Sequence, residues 1–145
     1  LSKALGCPVG SVLAGPDGVL EEAWRIRLRL GGALRQSGLL AAAGLYALEH
    51  HRDRIPEDHA RARALAAGIG AIDGFIVRSP ETNVVFIDVS APSRIDKLLS
   101  FLEMRKIFLT QFGPGRLRAV THRDVDDAGI HRAIAAFAEW AEHGG

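Results

Sequence analysis

At 145 residues the chain has the length of about one domain and can bury a core. Hydrophobic residues make up 48% and charged residues 24%, the balance of a globular protein rather than a disordered one. A formal net charge of +1 leaves no electrostatic footprint for nucleic acid, and no apolar run approaches the roughly 20 residues of a membrane-spanning helix. The lone cysteine, Cys7, excludes an internal disulfide and suits a reducing, cytoplasmic compartment. There is no signal-peptide pattern, and the opening on Leu1 rather than methionine suggests a fragment or a processed product.

In chain order, Val9 to Ala14 is a short apolar run between glycines and reads as a buried strand. Asp17 offers a cap for a helix that carries Glu21 and Glu22 early, where carboxylates suit the helix dipole, and that stops at Gly31-Gly32. The cluster Arg25, Arg27 and Arg29 beside those glutamates reads as a solvated or subunit-facing surface. A second helix fits Gln36 to His51; with Leu39, Leu40, Ala43, Leu45, Tyr46 and Leu48 it has little polar face and is expected to be buried against other elements. His50 to Asp53 is a polar break and the expected border between two units, 1–50 and 51–145. A third helix fits Glu57 to Ile69.

Beyond residue 70 the pattern changes. Phe75 to Val77 and Asn83 to Val89 read as strands. Ile95, Leu98, Leu99 and Leu102 have helical spacing, with Ser93 and Asp96 resembling a capping box. Ile107 to Phe112 and Arg116 to Thr121 read as strands around the turn Gly113-Pro114-Gly115, and a last helix places Ile130, Ile134, Phe137 and Trp140 on one face and ends near Gly144-Gly145. The order β-β-α-β-β-α predicts an α/β architecture whose smaller part is α+β: helices packed on a small, mostly antiparallel sheet.

Several segments could carry chemistry. Lys3 follows a small hydroxyl residue and precedes a glycine-punctuated apolar stretch, a setting for an amine held at a loop end; taken alone, a lysine near a terminus is usually just a solvated charge. Gly31-Gly32 before Arg35 and Gln36 could let backbone approach an anion at a helix start, or could simply end one helix and begin another. On the strand Arg116 to Thr121, alternation puts Arg116, Arg118 and Val120 on one face and Leu117, Ala119 and Thr121 on the other. An arginine so placed either reaches solvent or lines a pocket, where its planar fork suits a carboxylate. The histidines lack metal-ligand spacing and Cys7 has no cysteine partner, so no metal site is expected. There is no phosphate-loop motif.

In order, these segments resemble the low-specificity L-threonine aldolases, pyridoxal phosphate enzymes of the aspartate-aminotransferase fold (fold type I). Ser-Lys-Ala-Leu-Gly-Cys-Pro-Val-Gly-Ser, residues 2–11, is similar to the cofactor-lysine segment; Gly-Gly-Ala-Leu-Arg-Gln-Ser-Gly, residues 31–38, to Gly-Gly-Gly-Met-Arg-Gln; and residues 118–125 to Arg-x-Val-Thr-His-x-Asp-Val. Leu39 to Ala47, Glu57-Asp58-His59 and Glu81-Thr82-Asn83 also match.

The resemblance implies a lyase that uses pyridoxal 5'-phosphate to cleave L-threonine, L-allo-threonine and related β-hydroxy amino acids to glycine and an aldehyde, in threonine breakdown and glycine formation. It implies that Lys3 holds the cofactor covalently, that Arg35 lies near its phosphate or a subunit contact, and that Arg118 binds the substrate carboxylate. Residues 1–50 would be the end of the large cofactor-binding domain and 51–145 the small domain of a cytoplasmic homotetramer. The base for the β-hydroxyl proton would lie ahead of Lys3, leaving His122 a structural or supporting role. Since the remaining cofactor contacts would also precede Lys3, this chain alone is expected to bind the cofactor weakly or not at all, to be inactive, and to expose Leu39 to Leu48. Leu28 stands where the family often has lysine, with Arg27 or Arg29 as substitute cations, and Ala33 where it commonly has a third glycine. Two other readings stand beside this one: another fold type I lyase with a different amino acid substrate, and a non-catalytic small-domain or oligomerisation module.

Overall fold

The computed structural model describes residues 1–143; the expected end of the last helix at Gly144-Gly145 lies outside them. The chain divides into two compact units, Leu1–Ile55 and Pro56–Gly145.

The first unit holds helices α1 (Asp17–Arg29) and α2 (Gly38–His50), followed by a 3-10 turn, Arg52–Arg54. Residues 11–16 are irregular, so the strand expected over Val9 to Ala14 does not form. A strand needs a neighbour to satisfy its backbone, and no described residue of this unit is in one; Val9, Val12 and Leu13 are exposed instead. Pro16 is the N-cap of α1 and no side chain caps it; Asp17 sits one residue inside, in the first turn. Proline's missing N–H costs little at a helix start. The stop at Gly31-Gly32 is as expected. Gly31 adopts φ +78°, its N–H reaches the Leu28 carbonyl at 3.2 Å, and the Gly32 N–H reaches that of Arg27 at 2.7 Å. This pair of bonds is the Schellman closure, for which glycine is favoured because it carries no Cβ. The burial that composition predicts for α2 is not met within this unit, whereas Leu39, Leu45, Tyr46 and Leu48 are exposed as expected of this chain alone. Only Gly44 and Ala47 are buried, while Leu39 is 82% and Leu45 68% exposed. An all-apolar helix needs cover on every side, and this unit offers it on one stripe.

The second unit has the expected α/β architecture. Helices α3 (Ile55–Gly70), α4 (Ile95–Met104) and α5 (Asp127–His143) accompany strands β1 (Phe75–Val77), β2 (Val84–Val89), β3 (Thr110–Gln111) and β4 (Arg116–Val120). The sheet order is β1-β2-β4-β3 and every pairing is antiparallel. Alternation decides the faces: Val85, Ile87, Leu117 and Ala119 are buried, Phe86 and Arg116 are not. Leu65 and Ile69 of α3, Leu98 and Leu102 of α4, and Ile130 and Phe137 of α5 complete a core on one side of the sheet. The opposite face is left open. The expected capping box at Ser93 is not made. A 3-10 turn, Pro92–Arg94, leads into α4, whose N-cap is Arg94 with no side-chain bond.

Candidate active site

Lys3 lies in a tight turn that the Gly6 N–H closes onto the Lys3 carbonyl at 2.9 Å, with Gly6 at φ +71°. The lysine side chain is exposed. The turn is attached to α2: Cys7 Sγ lies 3.6 Å from the Ala43 carbonyl, and His51 Nδ1 lies 2.8 Å from the Leu5 carbonyl. Arg35 is exposed in the turn before α2, next to Gln36 at φ +50°, and has no hydrogen bond or ion pair among the described residues. The Lys3 and Arg35 segments border one open apolar cavity, lined by Leu1, Val9 and Leu13 from one and Leu34 and Ser37 from the other. Arg27, one of the two arginines expected to substitute for a lysine at Leu28, is engaged locally. Its Nε donates to the Gly32 carbonyl at 2.8 Å and its guanidinium lies 4.9 Å from the Trp24 ring.

In the second unit, the open sheet face separates the two arginines that strand alternation alone leaves equivalent. Arg116 stands opposite Asp88 across the β2–β4 ladder and grips it with two bonds, Nε to Oδ1 at 2.6 Å and an amino nitrogen to Oδ2 at 2.9 Å. That hydrogen bonding holds the Asp88 carboxyl below its ordinary range and raises the Arg116 guanidinium further. Arg118 stands two residues on, between Phe86 and Thr110 on the flanking strands, with its guanidinium 5.9 Å from the Phe112 ring. Its Nε is buried without a hydrogen-bond partner. A buried donor left unpaired is costly and invites an acceptor. The sequence carried no sign that Asp88 would neutralise Arg116, because only the strand register brings them together.

The neighbouring motif residues are structural. Thr121 is buried; its hydroxyl donates to the Asp58 carbonyl at 2.7 Å and its N–H to the Asn83 carbonyl at 3.0 Å. Asn83 Nδ2 returns a bond to the Thr121 carbonyl at 2.7 Å. These bonds tie the ends of β2 and β4 to the start of α3, which accounts for three matching motifs with one contact set. His122 is half exposed and turns Nδ1 back on its own loop, accepting from the Asp124 N–H at 3.3 Å.

The fold defines a class. The chain superimposes with a TM-score of 0.65 on 8-amino-7-oxononanoate synthase from Francisella tularensis, at 15% identity, covering 90% of this chain and 41% of that one. The score is 0.61 with the aspartate aminotransferase from Rhizobium meliloti, at 18% identity over 89% of this chain and 36% of that one. It is 0.58 with a lysine-to-alanine mutant of C-DES carrying glycine covalently linked to its PLP cofactor, at 23% identity over 71% of this chain and 28% of that one. The fold is therefore the aminotransferase-like one. The family follows from sequence: the beta-eliminating lyase model matches residues 1–92, and the chain belongs to that family. It is 38% identical over 141 residues to low-specificity L-threonine aldolase 1 of Arabidopsis thaliana, covering 94% of this chain and 39% of that protein. It is 38% identical over 125 residues to the low specificity L-threonine aldolase of Escherichia coli K12, covering 86% of this chain and 36% of that protein. The chain thus spans about two fifths of the length of these relatives. Among the described residues no helix is long and apolar enough to cross a membrane.

Proposed function

We propose that the chain is the lysine- and arginine-bearing part of a pyridoxal phosphate-dependent aldolase that cleaves L-threonine, L-allo-threonine and related β-hydroxy amino acids to glycine and an aldehyde. The observation that carries this reading is the buried, unpartnered Nε of Arg118 beside an Arg116 already saturated by Asp88. It is supported by the similarity to proteins named low-specificity L-threonine aldolase.

The residues present fit the cofactor. Lys3 offers an exposed amine on a turn anchored to a helix, and Arg35 offers a cation without an internal partner. Pyridoxal phosphate, when bound, supplies the electron sink for breaking a bond at Cα. Lys3 Nζ holds it covalently, and Arg35 with the start of α2 favours its phosphate. Arg118 grips the substrate carboxylate through its fork, which fixes the direction of the Cα–Cβ bond. His122 supports the Arg118 strand from the adjoining loop. Residues 1–50 belong, in this reading, to the large domain and 51–145 to the small one. The enzyme is a cytoplasmic homotetramer serving threonine breakdown and glycine formation, with the exposed face of α2 covered by the rest of the assembly.

In a preparation competent for turnover, Lys3→Ala abolishes release of glycine and acetaldehyde from L-threonine; undiminished cleavage sinks the assignment. Arg118→Ala removes a charge-assisted pair worth about 2–3 kcal/mol, roughly 30- to 150-fold in kcat/KM, with the cofactor retained. The family's own description favours a second reading, β-elimination from another amino acid. Product analysis separates the two: glycine and an aldehyde, or ammonia and a keto acid.

A further inference from the structure

The segment that carries Lys3 packs on the buried stripe of α2. Gly44 and Ala47 are the helix's buried residues. Ala43, Ala47 and His51 follow at four-residue intervals along one side. Ala43 receives Cys7 through its carbonyl. A Cβ on Gly44 would come within 3.3 Å of the Leu1 side chain, so the missing side chain admits the segment. His51, the C-cap of α2, reaches the Leu5 carbonyl at 2.8 Å in partly buried surroundings. Leu5 lies inside the very turn that Lys3 opens. The Tyr46 ring, 5.5 Å away and near perpendicular, braces the imidazole.

We propose that His51 is a positioning residue, whose Nδ1–H fixes the turn that presents Lys3. A carbonyl oxygen only accepts, so Nδ1 must carry the proton. The neutral ring is thereby held in the Nδ1–H tautomer, and the protonated ring keeps the same donor, so the clamp needs no charge. The turn is fastened to the helix at Leu5 and Cys7, and the Lys3 side chain stays exposed. The functional meaning of this device rests on the reading of Lys3 as the cofactor lysine; the clamp itself does not.

The test uses the isotope-labelled chain with no cofactor added, so its outcome is separate from whether Lys3 reacts. Long-range proton–nitrogen spectra of the His51 ring should show Nδ1 protonated in the neutral form; an Nε2–H tautomer overturns the proposal. His51→Ala should speed hydrogen exchange at the Gly6 amide about tenfold, the size of one lost hydrogen bond, and raise Cys7 thiol reactivity in parallel. His51→Asn, which places an amide N–H near the position of Nδ1, should restore most of the protection. Exchange in His51→Ala equal to wild type, or no recovery in His51→Asn, contradicts the assignment. If His51→Ala lowers α2 helicity by circular dichroism, the wild-type tautomer decides alone.

Discussion

The two units of this chain solve the same problem with opposite success. The second unit, from Pro56, closes a core in which Ile69, Val85, Ile87, Leu98, Leu102 and Leu117 are all but inaccessible. The first unit buries only Cys7, Gly44 and Ala47 and leaves Trp24, Leu30, Leu39 and Leu45 in the open. Both are apolar in sequence; only the second owns a sheet for its helices to rest on. The lesson is that burial depends on partners and not on hydrophobicity alone. The candidate groups divide accordingly, with Lys3 and Arg35 on the open unit and Arg118 on the closed one.

The comparison predicts a ranking of substitutions. Phe137→Ala, in the closed core and in edge contact with Phe75 at 4.9 Å, should cost about 3–5 kcal/mol. Leu45→Ala, on the open helix, should stay within about 0.5 kcal/mol. Amide-resolved urea unfolding checks both, and equal effects would dissolve the contrast between the units. Gly68→Ala comes next. A Cβ there would fall 2.4 Å from Cδ1 and 2.7 Å from Cγ1 of Ile134, so α3 and α5 must shift or Ile134 must change rotamer, at about 1–3 kcal/mol. Thr121→Val removes the buried bond to the Asp58 carbonyl and should cost about 1–2 kcal/mol in the same assay.

The smallest effect concerns acid. Hydrogen bonding to Arg116 lowers the Asp88 carboxyl below its ordinary 3.8. The folded state therefore binds this proton less readily than the unfolded state. The pair's contribution is complete above the ordinary value and is lost as pH falls through the folded one. The two side chains are 39% and 45% exposed, so solvent screens the pair and the contribution is small. Asp88→Asn should flatten the acid limb of stability of the second unit slightly and leave neutral-pH stability nearly unchanged; a large loss at neutral pH would assign Asp88 a different role.

The second unit was legible in the sequence because its signals are local. Alternation in Arg116 to Val120 gave the faces of β4, and the spacing of Ile95, Leu98 and Leu102 gave α4. Composition alone does not decide burial where a partner does. Val9 to Ala14 has strand composition but no strand beside it, and α2 has core composition but no core. The site was legible at the level of motifs. The motif singled out Arg118, but strand alternation could not say which of Arg116 and Arg118 is free, because that depends on Asp88 lying 28 residues away in the register of β2. Nor could sequence supply the bond from His51 to a carbonyl 46 residues earlier.

The account turns on Arg118 being the arginine available to a carboxylate. Proton–nitrogen spectra of the arginine Nε–H groups, recorded during titration with sodium acetate against sodium chloride at equal ionic strength, read this directly. The Arg118 Nε–H should move with acetate and not with chloride, while Arg116, held by Asp88, stays in place. Movement of Arg116 with a silent Arg118, or an equal response to both salts, would contradict the account.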